Sequence, residues 1–508
     1  MELHLPSFQV LLTFLLVFFM MFKSLKKSKS KDSTRKSIPG PKKLPVIGNL
    51  HQIASPLPHK TMRDLALKHG PLMHLQLGEV STVIVSSPEV AKEVMKTHDV
   101  NFSYRPALVV PKVTTYDFTN IAFAPHGNYW RHLRKVCTTE LLSASRVQSF
   151  RSIREGEVLN LIKTLQQSNG KPINIGEKIF SMTYGITARA AFGKKCKDQE
   201  IYIANITEIT KLVSGFCLAD FYPSIKGLQH FSGLKAKVEK IHKKNDRIVE
   251  NIIKEHRARR ASGKGKDEFE VEEDLVDVLL RIQEEDEFTL EDKNIKSVIL
   301  DVFGAGSETS STTVEWAMSE MMKHPRVMRE AQAEVRRVFK EKGNVDETGL
   351  HELKYLKAVI RETFRMRPSV PLLLPRECNQ ACEINGYKVA AKTRVLINAW
   401  ALGRDPDYWN EPDKFYPERF LNSSIDYMGT NFEFIPFGAG RRICPGILFA
   451  APNLELPLAQ LLFHFDWKLP DGIKAEDLEM TEVFGMTVKR KNDLVLVPTP
   501  YHGSTIVH

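Results

Sequence analysis

The chain has 508 residues, 42% of them hydrophobic and 26% charged, which excludes a disordered polypeptide and leaves room for a large buried core. Its net charge is +11, but +8 of that lies between Lys23 and Lys43, where nine basic residues accompany one acid, Asp32. The remainder is nearly balanced, which excludes a basic nucleic-acid-binding surface on the body. The six cysteines are sparse and widely spaced, which excludes a disulfide framework.

Leu3 to Phe22 is apolar apart from a few residues such as His4, Ser7, Gln9 and Thr13, and is about as long as one membrane-spanning helix. It ends Met20-Met21-Phe22-Lys23 without a small-x-small cleavage pattern, so a retained anchor over 3–22 is expected rather than a cleaved signal. The basic cluster follows the apolar run, which places the body on the cytosolic side. On that side the sequons at Asn101, Asn205 and Asn422 are chance matches. Residues 23–45 form a basic linker ending in Pro39-Gly40-Pro41, a stiff bent connector. One large domain over 46–500 and a short tail over 501–508 complete the chain.

Helical periodicity dominates the body. Val238 to Arg260 reads as an amphipathic surface helix. The charged segment Arg257 to Asp274 reads as a surface loop. Leu290 to Lys323 is apolar or small nearly all round in its middle, from Val298 to Val314, so it is expected to run buried through the core. Leu350 to Arg367 and Leu448 to Phe465 are further expected helices. Strands are expected at Leu72–Leu77, Thr82–Val85, Ala381–Val389, Arg394–Ala399 and Leu494–Pro498. The fold class is therefore mainly α with small sheets. Cys378 and Cys382 form a CxxxC, but no two further zinc ligands stand nearby, and ordinary thiols are expected.

The run Phe437-Gly438-Ala439-Gly440-Arg441-Arg442-Ile443-Cys444-Pro445-Gly446 carries the most chemistry. Cys444 immediately precedes the helix expected from about Gly446, whose amides and dipole stabilise a thiolate. Gly438, Gly440 and Gly446 let backbone approach a flat macrocycle closely. Phe437 can screen the sulfur from water, and Arg442 offers a charged fork for a carboxylate such as a haem propionate. A thiolate on haem iron donates electron density and favours O–O cleavage.

Two more motifs stand in helices. Glu362-Thr363-Phe364-Arg365 puts an acid and a base on one helical face. Ala305-Gly306-Ser307-Glu308-Thr309 places an acid–alcohol pair inside the apolar helix, where it needs partners. A threonine there can also simply bond back to a carbonyl one turn earlier and bend the helix.

With these motifs, the chain resembles the cytochrome P450 superfamily, and within it the plant A-type 71 clan, from anchor to C-terminus. The resemblance implies a P450 fold with haem b buried between the long central helix and the cysteine loop. It makes Cys444 the iron ligand, and Thr309 and Glu308 the oxygen-activating and proton-relaying pair. Trp130 and Arg134 in Trp130-Arg131-His132-Leu133-Arg134, together with Arg376, become propionate contacts beside Arg442. Glu362, Arg365 and Arg419 (in Pro417-Glu418-Arg419-Phe420) become a structural triad rather than catalysts. Pro452 departs from the pattern, and a local distortion of the helix after the cysteine is expected.

By position in such a fold, substrate contacts come from five segments. These are Thr114 to Phe123, with Thr115, Phe118 and Phe123; Leu212 to Phe221, with Phe216; the buried helix, at Phe303 and Ala305; Val370 to Leu374, with both ends; and Val483 to Thr487, with Phe484. They are mostly apolar, which suits a hydrocarbon-like substrate. The resemblance is strongest to members that oxidise terpenes, which implies a sesquiterpene or diterpene, macrocyclic ones included; alkaloid hydroxylation in the same clan is the alternative. It further implies an endoplasmic-reticulum enzyme taking O2 and electrons from an NADPH-dependent flavin reductase, with Arg131, Arg134 and Lys135 available to dock that partner's acidic flavin domain. A hydroperoxide isomerase or dehydratase is less consistent with the intact loop and the Glu308-Thr309 pair.

Overall fold

One buried helix organises the body. Asp292–Lys323 spans 32 residues, about 48 Å, and begins where the Asn294 side chain accepts the Glu291 amide at 2.8 Å. Its middle is rich in buried hydroxyls, several of which bond back along the helix. Ser307 donates to the Phe303 carbonyl at 2.8 Å, Ser311 to Glu308 at 3.0 Å and Thr313 to Thr309 at 2.9 Å.

The structure is a computed structural model that describes residues 37–501 except 195–197, 214–216, 232, 263–272 and 286–289. The expected anchor, most of the basic linker, Phe216, much of the Arg257–Asp274 segment and the tail beyond Tyr501 lie outside the described residues.

Helices Arg151–Gln167, Ile175–Phe192 and Ile447–His464 pack with the central helix into one apolar core. The amphipathic helix extends over Leu234–Ala261 and buries Val238, Ile248, Val249, Ile252 and Ile253 along one stripe. Leu350–Arg367 is not one helix. Asp346 accepts the Gly349 amide at 3.1 Å to start a 3-10 turn over Glu347–Glu352, and an α-helix begins afresh at Lys354–Met366. The helix after the cysteine runs unbroken through Pro452 and through a second proline, Pro457. The amide lost at Pro452 would have served the carbonyl of Leu448, a residue 48% exposed, so water can replace the bond.

Strands form at each expected place, but Ala381–Val389 is split into two strands rather than one, the run from Arg394 ends at Ile397 before a short helix over Ala399–Leu402, and the last strand is Val495–Pro500. Leu72–Leu77 and Val80–Val85 make a hairpin about Gly78-Glu79, whose Gly78 has φ +60°. A Cβ at Gly78 would lie 2.7 Å from the Phe221 carbonyl oxygen. Val80–Val85 pairs in parallel with Arg394–Ile397, which pairs in turn with Arg376–Glu377 and brings Arg376 toward the core. Cys382–Ile384 and Tyr387–Val389 form a second hairpin about Asn385-Gly386, both at positive φ. The Cys378 and Cys382 sulfurs are 4.0 Å apart. Near the C-terminus, Glu482–Val483 pairs with Lys489–Arg490, and the loop between them reaches the central helix.

Candidate active site

A cavity of about 340 Å³ is lined jointly by the cysteine loop and the central helix, including Cys444, Phe437, Gly446, Ala305, Glu308 and Thr309. The loop is closed by the Cys444 amide, which donates to the Phe437 carbonyl at 2.9 Å. Gly440 has φ +68°, and a Cβ there would lie 2.2 Å from the Met95 carbonyl oxygen, so only glycine fits. Phe437 packs edge-on against Phe364 at 5.1 Å between ring centres. The Gly446 amide points at the Cys444 sulfur, 3.4 Å away, at the start of the helix. Burial pushes the Cys444 thiol up, while that amide and the nearby Arg134 charge pull it back. A bound metal cation is what completes deprotonation of such a thiol.

Four guanidiniums gather at the cavity: Arg105, Arg134, Arg376 and Arg442. Among the described residues, one carboxylate lies within ion-pair reach of them, Asp99, at 3.7 Å from Arg376. Burial lowers all four. Arg376 falls to about 10 and Arg442 to about 9, the latter also pressed down by its neighbours Arg376 and Arg134. Such an excess of buried cations calls for an anionic partner. A flat apolar macrocycle with two carboxylates, haem b, fits both this charge and the cysteine, so Cys444 would hold its iron and the arginines would face its propionates.

The arginines are braced by backbone. Arg442 donates to the carbonyls of Ser103, Ile121 and Ala124 and stacks 4.2 Å over the Trp130 ring. Trp130 donates its indole N–H to the same Ile121 carbonyl at 3.1 Å. Arg134 donates to the Ile443 carbonyl at 2.6 Å, and Arg376 to the Ala439 carbonyl at 3.0 Å. Arg105, which no motif marks, bonds the carbonyls of Ala122, Leu374 and Pro375. Arg131 and Lys135 of the Asn128–Val136 helix are exposed, whereas Arg134 turns inward.

On the central helix, the Thr309 hydroxyl donates to the Ala305 carbonyl at 2.7 Å, and Thr309 lines the cavity. Glu308 is buried but not bare. One oxygen accepts from the Thr487 hydroxyl at 2.9 Å and pairs with the Lys489 ammonium at 2.7 Å. A second carboxylate, Asp301, lines the same cavity. One of its oxygens accepts from the Asn120 side chain and the other from the amides of Ile121 and Ala122, and burial pushes it up to about 6. Its signal in the sequence is a lone acid interrupting the apolar run from Val298.

Of the expected substrate contacts, Thr115, Phe123, Ala305, Val370 and Leu374 line the cavity. Phe303 does not. It points to the other side of its helix, into an aromatic cluster with Tyr184, Phe192 and Tyr202. Phe118 does not either, because Tyr116, Asp117 and Phe118 form a left-handed turn that carries it out of the lining. Phe484 lines a smaller neighbouring cavity, of about 90 Å³, and stacks on His59. Phe123, Val213, Val370, Leu373, Leu374 and Met486 line both cavities.

Behind the loop, Glu362 and Arg365 are wholly buried and joined through both oxygens, at 2.7 and 2.8 Å. The same carboxylate accepts from Arg419 Nε at 3.1 Å and from the Tyr416 amide at 2.8 Å. Arg365 also donates to the carbonyls of Gly403, Pro412 and Lys414. Phe364 of this helix lines the cavity, so the triad fixes one of its walls.

Residues 38–497 match the family model "Cytochrome P450". The chain is 57% identical to a Glycine max protein, cytochrome P450 71D10, covering 98% of this chain and 99% of that one. It is 53% identical to tabersonine 16-hydroxylase 2 of Catharanthus roseus, covering 97% of each. It is 52% identical to premnaspirodiene oxygenase of Hyoscyamus muticus, covering 94% of this chain and 96% of that one. A solved zebrafish cytochrome P450, in a structure with progesterone, superposes with a TM-score of 0.73 at 25% identity, covering 87% of this chain and 99% of that one.

Proposed function

The chain belongs to the cytochrome P450 family and is a haem-b monooxygenase of the plant type; from that premise we propose that it oxidises a neutral, apolar specialised metabolite, a sesquiterpene or diterpene, from an anchored position on the cytosolic face of the endoplasmic reticulum. The carrying observation is the state of the cavity's acids. Among the described residues, its two lining carboxylates are Asp301 and Glu308, and both are already engaged by protein donors. An amine substrate would need one of them as counter-ion and would have to break those bonds. A hydrocarbon needs neither.

When bound, haem supplies oxygen activation. The chain supplies the rest. Cys444 is the iron ligand, with the Gly446 amide steadying its sulfur. Arg105, Arg134, Arg376 and Arg442 neutralise the propionates. Apolar side chains such as Phe123, Val370 and Leu374 exclude water and orient the substrate. Thr309 holds a hydroxyl toward the cavity, and Glu308 carries protons to that side. Electrons arrive from an NADPH-dependent reductase.

Co-expression with a reductase in membranes fed parallel panels of terpenes and indole alkaloids tests the reading. Oxygenated terpene products are expected. Turnover confined to alkaloids would overturn it.

A further inference from the structure

Glu308 has a partner that none of the sequence motifs supplies. The pair joins residues 181 positions apart: Lys489 stands at the second strand of the C-terminal hairpin, where it pairs with Val483. The Glu308 side chain is 5% exposed and the Lys489 side chain 32%. The ammonium also lies 5.4 Å above the Phe180 ring. An ionised acid at that depth is costly without a counter-charge, and Lys489 provides one while remaining in touch with solvent. Thr487, two residues earlier, bonds the same oxygen and lines the cavity, as does Met486. One short hairpin therefore touches solvent, the acid and the substrate space.

We propose that Lys489 and Thr487 are positioning residues for Glu308: they hold its carboxylate turned to the hairpin, and the opening of the Lys489 pair admits each proton from bulk water. This rests on the reading of Glu308 as proton carrier. The step is balanced. A proton from water converts the released carboxylate to the acid, the acid passes that proton to the cavity side, and the carboxylate pairs again with an ammonium that has kept its own charge. Because Met486 and Thr487 line the substrate cavity, a seated substrate bears on the hairpin that governs this opening.

The charged and titratable groups facing the pair are few. Tyr184 approaches from the helix Ile175–Phe192, its phenol held neutral by burial and by Glu308 itself. Glu315 lies two helical turns beyond Glu308 and feels both Lys489 and Arg490. Neither bonds the carboxylate oxygen that Lys489 and Thr487 share.

Two measurements on the holoenzyme test the inference. In the first, acetylation of Lys489 by an amine-reactive ester is timed by peptide mass spectrometry. Glu308→Gln should speed it, because the ammonium is no longer held by a carboxylate oxygen 2.7 Å away; an unchanged rate overturns the pair. In the second, product formed per NADPH is followed against pH. Lys489→Met should move the inflexion upward, since a buried carboxylate loses its cation, and Lys489→Arg should restore it. A merely structural lysine would lower the melting temperature and leave the inflexion in place, which overturns the proposal. If Glu308→Gln itself keeps full coupling, the reading of Glu308 as proton carrier is what fails. If Glu308→Gln uncouples while Lys489→Met changes nothing, only the role of the hairpin fails.

Discussion

Replacing Glu362 by alanine removes one carboxylate that serves three donors: the Arg365 fork, the Arg419 Nε and the Tyr416 amide. Arg365, with a side-chain exposure of 0%, then keeps its charge with no anion beside it, and Arg419, at 10%, loses its partner too. Breaking a buried pair from one side costs about 3–5 kcal/mol. The body, residues 38–497, has an unfolding entropy of about 1 kcal/mol per degree. Glu362→Ala should therefore lower the melting temperature by about 3–5 °C, and a thermal melt of the holoenzyme followed by circular dichroism measures it. Glu362→Gln keeps the shape and the Tyr416 bond and should lose less. Glu362 does not line the cavity, so the surviving folded fraction should keep its normal ratio of product to NADPH. A melting temperature within a degree of the wild type, or a changed ratio in fully folded protein, refutes the assignment of the triad to structure.

Cys444→Ser and Cys444→His should each abolish the red-shifted Soret band of the reduced carbon monoxide complex; a surviving band would mean that another residue holds the iron. Thr309→Ala is expected to raise NADPH consumption relative to product, read as peroxide released per NADPH, and unchanged coupling removes the Thr309 hydroxyl from the relay. Lys135→Glu should raise the apparent KM for the reductase, with the difference fading as salt is added; no difference at low salt rules out docking at this exposed helix. His464 is buried at the end of its helix, and burial holds it down to about 4. Its folded value lies below the unfolded one near 6.5, so the unfolded chain binds more protons between the two. Stability present above about pH 6.5 should fall by roughly 3 kcal/mol as pH drops toward 4. Chemical denaturation across that range, with His464→Gln as the control that flattens the change, checks it.

The parts of the site that are legible in the sequence are those whose chemistry sits on one turn of chain. Cys444 and its glycines, Glu362 with Arg365, and Glu308 with Thr309 are each contiguous, so spacing alone places them together. Phe303 shows the limit of that reading. Ala305 and Thr309 are four apart and share a face, but Phe303 is two residues before Ala305, about 200° round the helix, and so falls on the far side. Phe118 was carried off by a left-handed turn at three non-glycine residues, which propensity does not favour. Arg105, the Asp301 clamp on residues 120–122 and the Lys489–Glu308 pair depend on segments that meet only in the folded chain. The split of Leu350–Arg367 turned on one residue, Leu353, whose ψ of 77° interrupts an otherwise helical pattern.

The gathering of Arg105, Arg134, Arg376 and Arg442 bears on biogenesis. Four like charges drawn together in a low-dielectric interior repel one another, and the backbone carbonyls that brace them are dipoles, not counter-ions. The polypeptide thus encodes a core that is electrostatically incomplete by itself and that is finished by a dianion from outside the gene. Final consolidation of the cysteine loop, the residues around Ile121 and the Arg376 strand should wait on that dianion. In a producing cell, the yield of mature enzyme would then follow porphyrin supply more closely than translation, and newly made chains short of it would be the ones exposed to proteolysis.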